Sequence, residues 1–360
     1  MKVHSAFVWS LLPALAAGVA AQEATVHATP YRQTNLVSNH RGVAQQVAIN
    51  FTNASAIADL PGQPFFITNE RGGNIRTFDS SGLEEIPGFL LVFPVEEGDQ
   101  PERPTAIVAN ASAKFEFEAL GTAPEYIVAA ENGTISGWAE LDGDFLQSTT
   151  LAFDHSRQGD RYEGMTILTS KCCEPVLAVT DFHHAKVHCI SDEWVAFACP
   201  DGFVDPHLPA HYAPYGIQQI GNDVYVTYVE KDSERTNPLA GEGKGIVDVF
   251  DWEGKFLRRF ATGGTLNEPW AVVKAGPEFG TYANDILIGN FGDGTISAFD
   301  EKTGAFRGKL ADIAGKPIVN PGLRGLVFGS RGTGDPNSLY FTAGPENKAT
   351  GLLGSIALAQ

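Results

Sequence analysis

One short phrase recurs along this chain and restricts its fold more than any other feature. It reads IRTFD at 75–79, ISGWAE at 135–140, VHCISD at 187–192, VDVFDW at 247–252, ISAFDE at 296–301 and GSIALA at 354–359, with starting points 49 to 60 residues apart. Each copy alternates apolar with small or polar residues, the period of a strand with two unlike faces. An apolar partner run precedes each copy, at 64–68, 125–129, 176–180, 223–227, 285–289 and 338–342. The clearest pair is NDILIGNFGDGTISAFD at 284–300, in which Gly292-Asp293-Gly294 supplies the positive φ values of a tight Asp-Gly hairpin.

Between the hairpins lies a further strand with a small residue near its start: Gly42 after Arg41, Ala106 after Thr105, Gly164 after Glu163, Gly216 after Tyr215, Ala271 after Trp270 and Gly325 after Arg324. A sheet of three or four such strands has two apolar faces and cannot bury both alone. Neighbouring sheets must cover them, and a closed ring removes the exposed ends. The expected fold is therefore all-β, a six-bladed β-propeller of antiparallel sheets around a central channel, spanning 36–360. Two β-sandwiches would be equally strand-rich but would not produce the steady period. Pairing of the segment 36–50 with the last strand, 354–359, is expected to close the ring.

Residues 1–21 begin with Lys2 and His4, run through an apolar core and end on Val19-Ala20-Ala21, the layout of a secretory signal peptide. Residues 22–35 read as an N-terminal extension. No other run approaches the roughly 18 apolar residues of a membrane span, so an exported, extracellular monomer is expected. A net charge of −18 argues against nucleic acid or an anionic membrane as partner, since both reward a basic face. That leaves a small-molecule, glycan or protein ligand.

Cys172, Cys173, Cys189 and Cys199 lie close together in a chain that reads as exported, so disulfides are favoured over a metal site. A bridge between the neighbours Cys172 and Cys173 is strained. Pairing of one with Cys189 and the other with Cys199 is expected. Zinc is the weaker reading without a C-x-x-C pair. Sequons at Asn50, Asn53, Asn110 and Asn132 are candidate glycosylation sites.

In a propeller the loops joining the blades form a rim where ligands bind. Residues that end the partner strands (Asn69, Glu131, Asp181, Tyr228, Asn290, Gly344) and those beside the small residues (Arg41, Thr105, Glu163, Tyr215, Trp270, Arg324) should converge there. The phrases TDFHHAKV (180–187), GIVDVFDWEGKFLRRFATGG (245–264), ILIGNFGDGTISAFD (286–300) and DPNSLYFTAGPENKATGLLGSI (335–356) resemble a family of exported NHL-repeat-like β-propeller proteins of unassigned function. The resemblance covers most of the chain after Leu36. It implies the propeller and carries over no active site.

Glu163, Asp181, Asn69 and Asn290 are hard oxygen donors of the type that hold Ca²⁺ or a similar divalent ion. In the manner of lactonase-type propellers, Glu163, Asp181 and Asn290 could hold an axial ion that polarises a carbonyl and activates water. Alternatively, these groups satisfy strand-end backbone. His183 shares strand parity with Asp181 and is a candidate acid/base partner. His184 and His188 are about 13 Å apart along a straight strand, so a shared ion requires the turn to fold them together. The insertion at 230–245 reads as a lid or a plain solvated loop. No G-x-S-x-G elbow, P-loop or Rossmann turn is present. The leading expectation is a rim that binds a small molecule, glycan or protein, through Asn69, Tyr215, Tyr228, Trp270 and Arg324. The alternative is a metal-assisted lactone or ester hydrolase, or a non-redox isomerase or cyclase, with Asp181 and His183 as catalytic residues.

Overall fold

The computed structural model describes residues 29–85, 103–141, 144–145, 148–234 and 237–359. The signal-peptide reading of 1–21 lies outside them. Six antiparallel sheets form a ring, and each contributes one inner strand: Ala54–Ala58, Pro104–Ala109, Tyr162–Leu168, Tyr212–Ile220, Pro269–Lys274 and Leu323–Phe328. Consecutive inner strands touch, and the last meets the first. The fold is a six-bladed β-propeller.

The small residues explain how the inner strands fit. Every inner strand shifts register against its partner at the small residue, between Tyr162 and Met165, Pro214 and Ile217, and Leu323 and Leu326, for example. Such a bulge bends the strand toward the axis. At Gly216 a Cβ would lie 1.9 Å from the Trp270 carbonyl oxygen of the next blade, so any larger residue would push two inner strands apart. A threonine from the second strand closes several bulges. Thr180 Oγ1 accepts from the Gly164 amide at 2.8 Å and donates to the Tyr215 carbonyl at 2.8 Å, joining two blades through one hydroxyl. Thr342 does the same between the Gly325 amide and the Ser55 carbonyl.

In the first blade the inner strand is Ala54–Ala58, and Arg41-Gly42-Val43 lies outside the strands, which corrects the placement of Gly42. The misplacement arose because residues 31–58 contribute to two blades. Tyr31–Ser38 pairs with Leu352–Leu358, from Tyr31 opposite Leu358 to Ser38 opposite Leu352, so both chain ends share the closing blade. That strand begins inside the segment read as an extension. Tyr31 is buried against Phe279 and Tyr282 of the fifth blade and donates its hydroxyl to the Phe279 carbonyl at 2.8 Å. Such aromatic contacts fill the spaces between blades; Phe66 stacks on Tyr126 at 3.8 Å between the first and second. Burial of each ring contributes about 1.5–3 kcal/mol.

The cysteine pairing differs from expectation. Cys189 bonds to Cys199 with Cα atoms 5.3 Å apart, because the strand Lys186–Ile190 pairs with Ala196–Phe197 and the short hairpin brings the two together. Cys172 and Cys173 are free and exposed, with sulfurs 2.9 Å apart. The sequons also divide. Asn53 is wholly buried and Asn110 nearly so, its amide donating to the Lys114 and Pro124 carbonyls; neither presents an acceptor to a glycan in the folded chain. Asn50 and Asn132 are exposed.

Candidate functional site

Two groups of polar side chains gather on the rim where the second strands end. The first lies on the axis. Arg324, at 2 % exposed, enters from the sixth blade and places Nη1 3.4 Å from Glu163 Oε2 and 3.6 Å from Glu70 Oε2. Its Nη2 donates to the Tyr215 hydroxyl at 3.4 Å. The rings of Tyr215, Trp270 and Phe291 surround the guanidinium at 5.0–6.0 Å. Arg161 pairs with Glu163 and Glu131 at 3.0 Å, and Lys348 lies 3.8 Å from Glu70.

Burial sets the protonation of this network. It pushes the Glu163 carboxyl up, with Arg324 and Arg161 pulling in the opposite direction. Burial opposes the Arg324 charge, but Tyr215, Glu70 and Glu163 outweigh it and keep the guanidinium charged. Lys348 is pulled down, first by Arg324 and then by burial. Trp270 Nε1 and Arg324 Nε are buried without a hydrogen-bond partner, each a group that costs about 1–3 kcal/mol to leave unmatched, and Glu70 Oε2 makes no hydrogen bond beyond its ion pair with Arg324. Beneath them a cavity of about 60 Å³ runs into the channel between Gly164, Gly216, Trp270, Ala271 and Gly325.

The second group sits off the axis, between the second and third blades. Asp181 ends the strand Val176–Asp181, where its Oδ1 accepts from the amides of Arg161, His183 and His184 at 3.0–3.2 Å. Asn69 and Asn290 occupy the matching strand ends and do the same work, accepting from the amides of Thr52 and Asn267. Asp181 keeps a second oxygen for other partners: Oδ2 lies 2.7 Å from His184 Nδ1 and 3.3 Å from His188 Nε2. Burial raises its pKa, but the bonds from His188, the Arg161 amide and His184 prevail and hold the carboxyl well below the usual carboxylate range. The loop entering this blade adds Asp160, with Oδ1 3.0 Å from His184 Nδ1 and Oδ2 2.9 Å from His155 Nδ1 and 3.3 Å from His188 Nε2.

The sequence-derived residues thus separate. Tyr215, Trp270 and Arg324 meet at the axis with Glu163. Glu163, Asp181 and Asn290 do not form one centre: Glu163 faces two arginines, Asp181 faces histidines, and Asn290 holds the Thr265 and Asn267 backbone. The Asn69 amide is engaged with Asn50 and Asn74. Tyr228 packs among Val224, Val226 and Ile246 in the core between blades, away from the rim group. His183 is exposed, and the imidazole against Asp181 is that of His184, because Ala185 takes a left-handed φ of 55° and folds the turn back. The insertion reaches this turn, where Lys231 Nζ donates to the His183 carbonyl at 2.8 Å. Sequence reasoning missed Glu70, His155 and Asp160. The signal available for the last two was their position in DHSRQGD, 154–160, a loop joining blades on the binding rim.

No family model matches the chain. It is 28 % identical to the uncharacterized protein R648 of Acanthamoeba polyphaga mimivirus over 338 residues, covering 92 % of this chain and 81 % of that protein. Uncharacterized protein L690 of the same virus is 27 % identical over 331 residues, covering 90 % and 85 %. Among solved structures, the aldose sugar dehydrogenase of Escherichia coli superposes with a TM-score of 0.56 at 11 % identity, over 91 % of this chain and all of that one. A streptogramin B lyase gives 0.52 at 11 % identity, covering 91 % and 98 %. The calcium-binding protein regucalcin of Agrobacterium tumefaciens gives 0.51 at 13 %, covering 86 % and 92 %. At these identities the likeness is one of fold.

Proposed function

We propose that this chain is an exported, NHL-like propeller that binds a small, oxygen-rich organic ligand, a sugar or sugar acid, at the axial mouth. The observation that carries this reading is the set of buried polar atoms there that make no hydrogen bond, Trp270 Nε1, Arg324 Nε and, in an ion pair with Arg324, Glu70 Oε2. Two are donors suited to carbonyl or carboxylate oxygens, and one is an acceptor suited to a hydroxyl. The aromatic faces of Tyr215, Trp270 and Phe291 match the apolar faces of a sugar ring. The signal-peptide pattern and the Cys189–Cys199 disulfide support export.

A panel of neutral sugars and sugar acids, including gluconate and glucuronate, tests the reading by thermal shift and calorimetry. At least one compound should raise the melting temperature of the wild type, and Trp270→Phe, which removes only the indole donor and some ring area, should weaken it about tenfold. Failure of the whole panel, or equal affinity in the variant, would refute binding at this mouth.

A further inference from the structure

We infer that His155, Asp160, Asp181, His184 and His188 form a binding site for a divalent first-row transition-metal ion of the zinc class. This inference does not rest on the axial reading, since it concerns other side chains.

The five groups come from separate pieces of chain. His155 and Asp160 flank the loop that enters the third blade, Asp181 ends its second strand, His184 lies in the turn and His188 in the third strand. The ligand atoms of His155, Asp160 and His188 lie within 4.8 Å of one another, as do those of Asp160, Asp181 and His184, so the two sets share Asp160. Nitrogen-to-oxygen separations across the group are 2.7–3.3 Å. Metal–ligand bonds of about 2.0–2.1 Å place neighbouring ligands about 3 Å apart, so the side chains already stand near the edges of a coordination polyhedron.

The electrostatics call for a cation. Asp160 and Asp181 are 2 % and 0 % exposed, and buried carboxylates this close repel unless positive charge lies between them. Both face imidazoles, whose ring nitrogens are metal ligands as well as hydrogen-bond partners. Imidazole donors, two in one set and one in the other, favour zinc, nickel or copper over calcium, which takes oxygen. The surroundings are those of a metal site as well. The Tyr162 hydroxyl donates to Asp160 Oδ2 at 3.1 Å, and three backbone amides fix Asp181 Oδ1, orienting both carboxylates. His184, at 37 % exposed, leaves one side open to solvent for entry and for a further ligand.

Calorimetric titration of the chelator-dialysed full chain with zinc chloride tests the site. At least one equivalent should bind, and millimolar calcium should not displace it. His184→Ala and Asp160→Asn should each weaken zinc at least tenfold with unchanged circular dichroism, whereas His183→Ala, on the same turn, should leave affinity unchanged. A Cys172→Ser/Cys173→Ser variant should retain the zinc. Absence of binding to the wild type, loss of zinc with the two cysteines, or equal affinities for the His183 and His184 variants would overturn the assignment.

Discussion

Replacing Arg324 with methionine tests the logic of the axial network most directly. The guanidinium is 2 % exposed and faces Glu163 at 1 % and Glu70 at 5 %, so the substitution keeps most of the volume and removes the cation the two buried carboxylates share, leaving Glu163 to Arg161 and Glu70 to Lys348. Breaking a buried pair from one side costs about 3–5 kcal/mol, most of it the penalty of the charge left behind. The cost should depend on pH. Glu163 is raised by burial and partly lowered by Arg324, so its folded pKa lies above its unfolded one and stability falls as pH rises through that window. Without Arg324 the folded pKa climbs further and the window widens upward. Urea unfolding followed by tryptophan fluorescence should therefore show a midpoint lowered by about 1 M at pH 8, with a smaller loss at pH 5, because the raised carboxyl costs less stability as pH falls. Adding Glu163→Gln should recover part of the loss at pH 8 and little at pH 5. A cost below about 1 kcal/mol, or one equal at the two pH values, would refute the reasoning.

Asp248 offers a second pH test: burial, opposed by Arg259 and reinforced by Asp205, pushes its carboxyl up to about 7. Raised from an ordinary value of about 3.9, it makes the folded state hold an extra proton, and stability should fall between about pH 4 and 7. Asp248→Asn should flatten that slope in urea titrations; an unchanged slope would show that Asp248 does not hold the proton. Deleting the residues after Gly351 removes the strand Leu352–Leu358, which pairs with both Tyr31–Ser38 and Leu339–Ala343, and with it the buried Leu352, Leu353 and Ile356. Those three side chains alone account for about 5–9 kcal/mol, comparable with the about 5–15 kcal/mol of a whole fold. The truncated chain should not be recovered in soluble form, and normal yield with a normal melting curve would argue against closure by this strand.

The architecture was legible in the sequence because its determinants are local. Strand alternation, a Gly-Asp-Gly turn whose Gly294 has φ of 71°, and a small residue at each inner-strand bulge lie within a few residues of the features they specify. Blade number follows from counting them. The first blade escaped because its pattern overlaps the strand that closes the ring. Tyr215, Trp270 and Arg324 were found by position alone, each beside a small inner-strand residue. What they touch was not legible: Arg324 meets Glu163 across 161 residues of sequence, and only closure of the ring brings them together. Asn69, Asp181 and Asn290 look alike in sequence, yet the asparagine amides are spent on backbone and on the neighbouring Asn74 and Thr295 side chains, whereas Asp181 has an oxygen left that meets histidines. Which histidine it meets depends on one left-handed residue, Ala185, and which carboxylate joins it depends on how the loop entering the third blade packs against that turn. The cysteine partner likewise follows from a hairpin register. The sequence by itself determined the number and kind of blades, because a strand's period and its turns are properties of neighbouring residues. Tertiary structure alone decided which side chains form the axial network, because only the closed ring makes Arg324 a neighbour of Glu163 and Glu70, and which form the histidine–aspartate site, because only the folded third blade and its entry loop bring 155–160 against 181–188.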